Sequence, residues 1–142
     1  MDNECPFCGS ARTEGRILKE GEFAYVIFSN PRLMPGHLLV IPKRHIDGRV
    51  GDLSKDERDE IFDFLSEFQA KILDKVASGC DIRQNFKPYV KNSRTHVNHM
   101  HWHLQPREFK DEIYEKADVY RDPLYRDLSP EERDRLFAVL KD

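Results

Sequence analysis

The sequence has few cysteines, no excess of basic residues and no long apolar run, and each shortage excludes a class of protein. Three cysteines, an odd number, do not make a disulfide framework. The formal net charge of −3 excludes the basic surface with which a dedicated nucleic-acid binder neutralises phosphates. No apolar run approaches the roughly 18 residues of a membrane-spanning helix. A phosphate-bearing partner would therefore be a small molecule, held by a few placed groups.

The first residues, MDNE, are acidic and lack the basic-then-apolar order of a secretory signal peptide. We therefore expect a cytoplasmic protein without a membrane partner. The chain of 142 residues suits one domain, 1–142, rather than two independent cores. Nine phenylalanines, five tyrosines and one tryptophan argue against disorder, because disordered chains are poor in aromatic residues.

Hydrophobic periodicity predicts an α+β fold, in which about five strands form a mostly antiparallel sheet covered by one long helix, with a further helix at the C-terminus. Ser54 and Glu57 form a capping box at the start of the long helix, and Gly79 is typical of a helix end. The stretch 107–128 stays unassigned. The predicted strands are 16–19, 22–28, 37–41, 83–91 and 99–105, and the predicted helices are 55–78 and one that starts at Ser129-Pro130.

Four of the six histidines lie within eight residues, in a segment that alternates histidine with apolar residues. In a strand, alternate side chains share a face and lie about 6.5–7 Å apart, so one face carries a row of imidazoles that core packing does not explain. The histidine face consists of His99, His101 and His103. The apolar face consists of Met100, Trp102 and Leu104. The alternatives are a chance cluster on a solvated strand, a structural metal site, and phosphate chemistry, in which imidazoles divide nucleophile and donor roles.

Two segments carry a resemblance to a known family. Residues 99–107, HMHWHLQPR, resemble the signature of the histidine-triad (HIT) superfamily, and residues 35–45, PGHLLVIPKRH, are similar to its other recurrent segment. The resemblance spans about 5–107 and implies a HIT-like fold there, with 108–142 as a C-terminal extension.

The resemblance also implies catalytic roles. His101 would attack the α-phosphorus of a nucleotide and form a covalent nucleotidyl-histidine. Its Nε2 must then be unprotonated, so its Nδ1–H should donate to a backbone carbonyl. His37 and His103 would donate to the non-bridging phosphate oxygens, where charge builds in the transition state.

Further positions are implied to contact the substrate. Asn30 would hold the ribose hydroxyls, although an asparagine before proline also suits a turn. Thr95 and His96 stand where family members often carry a small polar pair beside the leaving group. Arg94 or His96 would meet a more anionic leaving group such as a β-phosphate, unless these side chains simply face solvent.

The pair Cys5-x-x-Cys8 resembles half of a zinc site. Similarity to the galactose-phosphate uridylyltransferases implies that His45 and His99 complete a closed, structural zinc centre, with His96 in place of His99 as a variant and a metal-free thiol pair as the alternative. That branch has glutamine where this chain has His103, which indicates the hydrolase branches instead.

The leading hypothesis is a nucleotide-phosphate hydrolase or nucleotidyltransferase acting on dinucleoside polyphosphates or nucleoside phosphoramidates. A phosphorolytic transferase, a non-catalytic purine-nucleotide sensor or scaffold, and a zinc-binding interaction module stay open. The resemblance further implies a homodimer, paired across the long helix and a sheet edge. The base, the leaving group and the biological role are left open.

Overall fold

Five antiparallel strands form one sheet in the order β1-β2-β3-β5-β4 in a computed structural model, which describes residues 5–12 and 14–141. The main helix, α1, spans Lys55–Lys75 between β3 and β4. The expected α+β class, with a sheet, a long helix and a C-terminal helix, is confirmed. The strands are β1 (Ile17–Glu20), β2 (Ala24–Phe28), β3 (Leu38–Pro42), β4 (Gly79–Gln84) and β5 (Trp102–Arg107).

Both faces of the central strands are buried, because β2 and β3 are apolar at every position. Ala24 and Val26 face the core beneath α1, whereas Tyr25 and Ile27 face a second core with the N-terminal segment 5–11. Met100 and Leu104 also lie in the core beneath α1, and Trp102 packs against it. The predicted apolar face of the histidine strand is therefore confirmed.

The N-terminus of α1 has the predicted capping box. Ser54 Oγ accepts from the Glu57 N–H, and the Glu57 carboxylate accepts from the Ser54 N–H. The helix ends at Lys75, earlier than the predicted residue 78, and Gly79 starts β4. A Cβ at Gly79 would lie 3.3 Å from the Arg107 carbonyl oxygen, so close strand pairing accounts for this glycine better than a helix end does.

Two predicted strands were displaced along the chain. The strand expected at 83–91 is wrong beyond Gln84, where the last β4–β5 pair, Gln84 with Trp102, ends the ladder. The strand expected from residue 99 begins at Trp102, because the Met100 N–H donates to the Ile46 carbonyl instead of to a neighbouring strand. The alternation of faces nevertheless starts at His99.

The described chain forms two compact units that divide between Glu108 and Phe109. The second unit holds α2 (Glu112–Lys116), two 3₁₀ turns (Asp118–Tyr120 and Asp122–Leu124) and α3 (Pro130–Leu140). The helix α3 starts where predicted, and Ser129 caps it by accepting from the Glu132 N–H. No helix in the described ranges is long and apolar enough to cross a membrane.

Candidate active site and metal centre

A cavity of about 480 Å³ lies on the sheet face opposite α1, and this volume is within the range of small-molecule sites. Three predicted catalytic residues and three predicted substrate contacts line it together. The three histidines are His37, His101 and His103, and the substrate contacts are Asn30, Arg94 and Thr95. The structure places His96 outside this lining, with its Nε2 2.8 Å from Asn98 Oδ1.

Strand pairing brings the histidines together from distant parts of the chain. His37 immediately precedes β3, and His103 lies on β5, which pairs with β3 through Leu38 and Leu104. The ring centroids of His101 and His103 are 4.9 Å apart, and those of His37 and His103 are 5.1 Å apart. Phe7, from the N-terminal segment, packs edge-on against His101 with 5.1 Å between ring centroids.

Hydrogen bonds assign a tautomer to His37 and His103. The Leu33 N–H donates to His37 Nδ1 at 3.1 Å, so the hydrogen of a neutral His37 is on Nε2. That Nε2 lies 2.9 Å from His103 Nδ1, which must accept and leaves the His103 hydrogen on Nε2. The N–H of His37 is thus directed at His103, and only His103 has a ring N–H left to donate into the cavity. This differs from the expectation that both donate to phosphate.

His101 has the opposite arrangement. Its Nδ1 lies 2.7 Å from the His99 carbonyl oxygen, which can only accept, so Nδ1 carries the hydrogen and Nε2 keeps its lone pair. This is the backbone contact that a nucleophilic Nε2 requires.

Burial favours the neutral form of all three rings, because removing an imidazolium from water costs free energy. Burial, with a smaller contribution from His101, lowers the pKa of His37 to about 4. Burial, followed by His101, His37 and Arg83, lowers the pKa of His103 to about 3. Burial also lowers the pKa of His101. The cavity histidines are therefore uncharged near pH 7.

The predicted metal ligands also converge. One ligand atom from each of Cys5, Cys8, His45 and His99 lies within 4.8 Å of the others. His99 Nδ1 lies 3.4 Å from Cys5 Sγ, 3.5 Å from Cys8 Sγ and 3.1 Å from His45 Nδ1. His45 Nδ1 lies 3.3 Å from Cys8 Sγ. A tetrahedral zinc site with bonds of about 2.0–2.3 Å has edges of about 3.3–3.8 Å, so the donor set and its dimensions fit a metal ion.

His99 takes part in both sites. Its Nε2 lies 2.8 Å from the Pro42 carbonyl oxygen, to which it donates, and this leaves Nδ1 unprotonated toward the two cysteines. Its own backbone carbonyl accepts from His101. The cluster in the structure contains His99 and not His96, so the alternative ligand set with His96 is not the one that the structure brings together.

Several residues that line the cavity were not predicted from the sequence, among them Glu14, Arg16 and Arg32. Arg16 Nε donates to Glu14 at 3.0 Å, and its Nη1 donates to the Phe28 carbonyl at 2.7 Å. Only the pairing of β1 with β2 brings this end of β1 to the cavity. Arg32 could have been suspected, because it lies between Asn30 and His37 in the same loop.

Comparisons with known proteins agree on one family. A family model described as the HIT domain matches residues 12–110. A bis(5'-adenosyl)-triphosphatase of Dictyostelium discoideum is 28% identical over 115 residues, which are 78% of this chain and 75% of that protein. An asymmetrical bis(5'-nucleosyl)-tetraphosphatase of Schizosaccharomyces pombe is 33% identical over 79 residues, 56% of this chain and 42% of that protein.

Solved structures show the same fold. A HIT family protein from Bacillus anthracis has a TM-score of 0.71 at 18% identity, covering 98% of this chain and 96% of that one. One from Bacillus subtilis also has a TM-score of 0.71, at 21% identity, covering 97% and 95%.

Proposed function

This chain belongs to the HIT domain family, and from that premise we propose that it is a nucleotide-phosphate hydrolase whose nucleophile is His101. The observation that carries the proposal is the contact of 2.7 Å between His101 Nδ1 and the His99 carbonyl. It commits the hydrogen to Nδ1 and leaves a lone pair on Nε2, in a ring that lines the same cavity as His37 and His103.

The proposed reaction has two displacements. His101 Nε2 forms a bond to the α-phosphorus while the bond from phosphorus to the leaving oxygen breaks, and its electron pair leaves with that oxygen. Water then forms a bond to the phosphorus, the N–P electron pair returns to Nε2, and the water proton is released with the nucleoside monophosphate. Each displacement is easier than direct attack by water, because the imidazole is both a better nucleophile and a good leaving group.

His103 and His37 have different tasks in this proposal. The Nε2–H of His103 donates to a non-bridging oxygen as negative charge builds there. His37 is a positioning residue, because its N–H holds His103 Nδ1 and so fixes the direction of the His103 donor. Asn30 and Thr95 line the cavity and supply polar groups for the nucleotide.

Dinucleoside polyphosphates are the substrate class that the named relatives support, since those proteins are a triphosphatase and a tetraphosphatase of dinucleosides. Nucleoside phosphoramidates are the second class. Inorganic phosphate as acceptor in place of water would make the protein a phosphorolytic nucleotidyltransferase, and product analysis with and without phosphate separates the two reactions.

The test compares wild type, His101→Ala and His101→Asn on diadenosine triphosphate and adenosine 5'-phosphoramidate. We expect turnover to fall by at least about 10³-fold in both variants, because both lack the nucleophile. The Asn variant keeps an N–H near the His99 carbonyl and controls for folding. A nucleotide adduct on wild-type His101, trapped by acid quench and found by mass spectrometry, would support the mechanism. Nucleotide binding without turnover or adduct would instead indicate a non-catalytic nucleotide sensor or scaffold.

We also propose that the four-ligand cluster binds a structural zinc ion, since four protein ligands close a tetrahedral shell. Bound there, zinc would tie the N-terminal segment to the sheet. We expect metal analysis to find about one zinc per chain, and both Cys5→Ser and Cys8→Ser to abolish it. Cys80→Ser is the matched control, because Cys80 is a free cysteine outside the cluster. Equal zinc in all four proteins would contradict the site.

A homodimer is proposed on the same family basis. The strand β4 is at an edge of the sheet with Ile82 exposed, and α1 exposes Phe62 and Leu73, so the helix and the edge offer an apolar surface. Sedimentation should give twice the chain mass, and a species of 16.8 kDa would contradict the dimer. A cytoplasmic location is proposed as well, because Cys5, Cys8 and Cys80, which all lie in the described ranges, form no disulfide.

A further inference from the structure

Two arginines line the cavity without a partner among residues 5–12 and 14–141. Arg32 comes from the loop between β2 and β3, and Arg94 comes from the loop between β4 and β5. Both side chains are exposed, and among the residues that the structure describes neither guanidinium makes a hydrogen bond, an ion pair or a ring contact. Each therefore keeps all its N–H donors available at the cavity that contains His101.

The remaining charges of the lining are already neutralised. Arg16 is paired with Glu14 at 3.0 Å, and these two are the only other lining residues, within the described ranges, that carry a full charge. The chain as a whole is acidic, with a net charge of −3. Two free guanidinium groups in one cavity of an acidic protein make a localised anion-binding feature, because the planar fork of arginine matches two phosphate oxygens.

The histidines do not supply this charge. Burial lowers the pKa of His37 to about 4 and of His103 to about 3, so near pH 7 both rings are neutral, and His103 is the one with an N–H left to donate into the cavity. A neutral donor suffices for a non-bridging oxygen of the α-phosphate. Phosphates beyond the α-phosphorus carry further negative charge, and Arg32 and Arg94 are the free cations of the lining that can meet it.

We propose that Arg32 and Arg94 determine leaving-group specificity by binding the phosphates beyond the α-phosphorus, an inference that rests on the proposed function. They would favour substrates that lose a phosphate-bearing group, such as dinucleoside polyphosphates, over substrates that lose a small amine. When the phosphorus–oxygen bond breaks, the electron pair stays on an oxygen of the departing phosphate. A guanidinium beside that oxygen stabilises the new charge. In a phosphoramidate the departing nitrogen takes up a proton from solvent and leaves as neutral ammonia, so no such anion forms.

The experiment measures kcat/KM on diadenosine triphosphate and on adenosine 5'-phosphoramidate, which donate the same adenylyl group and differ in the leaving group. The proteins are wild type, Arg32→Gln, Arg94→Gln, the double variant and Arg94→Lys. Arg58→Gln is the matched control, because Arg58 is an exposed arginine that lines a different groove, on α1. Thermal unfolding of each variant verifies that the fold is kept.

We expect the preference for diadenosine triphosphate, taken as the ratio of the two kcat/KM values, to fall about tenfold for each arginine lost, since a charge-assisted pair with phosphate contributes about that much. Turnover of the phosphoramidate should stay within about twofold. Arg94→Lys should keep part of the preference, because lysine retains the charge without the fork. Arg58→Gln should match wild type.

Equal losses of kcat/KM on both substrates, or an unchanged ratio in the double variant, would overturn this inference. The proposed function would still stand in that case, provided that turnover depends on His101. Turnover of neither substrate by the wild-type protein would reject the proposed function, and this inference with it.

Discussion

At the scale of single residues, backbone groups decide what each cavity histidine can do. The His99 carbonyl holds the hydrogen of His101 on Nδ1, and the Leu33 N–H holds that of His37 on Nε2. These two contacts turn chemically identical rings into a lone-pair donor and a hydrogen donor. The N–H of His37 then donates to His103 Nδ1 at 2.9 Å, which fixes the hydrogen of His103 on Nε2.

Substituting His37 in two ways separates its two contacts. His37→Asn keeps an acceptor for the Leu33 N–H but loses the donor to His103, so we expect kcat to fall about 10–100-fold with KM nearly unchanged, as for other residues that orient a catalytic group. His37→Gln keeps an N–H near His103 and should retain more activity, while losing about 1 kcal/mol of stability from the unpaired Leu33 N–H. Steady-state kinetics with urea unfolding measures both, and equal kcat in the two variants would contradict the assignment.

His37 also predicts a pH dependence of stability. Burial lowers its pKa from 6.5 in the unfolded chain to about 4 in the folded protein, where His101 and His103 face it. Between these values the unfolded state binds the proton more readily, so the free energy of unfolding decreases as pH falls from about 6.5 to 4, by up to about 3 kcal/mol. Urea unfolding at several pH values should show a smaller decrease for His37→Asn. Parallel curves for the two proteins would exclude His37 as a source.

At the scale of elements, α1 holds the turn between β1 and β2 through one carboxylate. Glu60 accepts from the N–H groups of Glu22, Phe23 and Ala24 at 3.0, 2.6 and 2.6 Å. A Cβ on Gly21 would come within 2.5 Å of this carboxylate, which explains the glycine at that turn. The β1–β2 hairpin, which includes one edge of the sheet, is thus fixed to α1 by polar contacts as well as by core packing.

Removing that carboxylate should loosen the hairpin. We expect Glu60→Ala to cost about 2–3 kcal/mol, because three N–H groups, two of them partly buried, lose a charged acceptor. Glu67→Ala is the control on the same helix, since the exposed pairs of Glu67 with Lys19 and Lys71 should contribute less than about 1 kcal/mol. Urea unfolding measures both, and equal losses would show that the turn does not depend on Glu60.

At the scale of the whole fold, the cavity and the four-ligand cluster lie next to each other at the segment that leads into β5. The N-terminal segment provides Cys5 and Cys8 to the four-ligand cluster and Pro6 and Phe7 to the cavity lining. His99 provides its ring to the cluster and its carbonyl to His101. A metal ion that holds this segment would therefore also hold one wall of the cavity and the orientation of the His101 ring.

Metal removal should accordingly weaken both stability and substrate binding. We expect a strong chelator to lower the melting temperature and raise KM for diadenosine triphosphate, because binding of the metal adds to the folding free energy and orders residues 5–8. Cys5→Ser should melt at the lower temperature with or without chelator. Cys80→Ser should respond as wild type does, and a melting temperature unaffected by chelator in wild type would contradict a structural metal.

The sequence by itself determined the α+β class, the capped long helix, the alternation around His99, His101 and His103, and the close spacing of Cys5 and Cys8. These are local patterns, since helix and strand periodicity and pair spacing depend on near neighbours. The resemblance placed His37 and His45 beside them.

Tertiary structure alone decided the strand limits, the tautomers and the charges of the cavity. The end of β4 at Gln84 depends on its pairing with Trp102, and the direct contact of His37 with His103 depends on a ladder between residues 66 positions apart. The fold pairs Arg16 with Glu14 and leaves Arg32 without a partner in the part of the chain that the structure describes. A linear pattern cannot show which charges find partners. Hydrogen bonding and burial act between neighbours in space, so they became visible only in the folded chain.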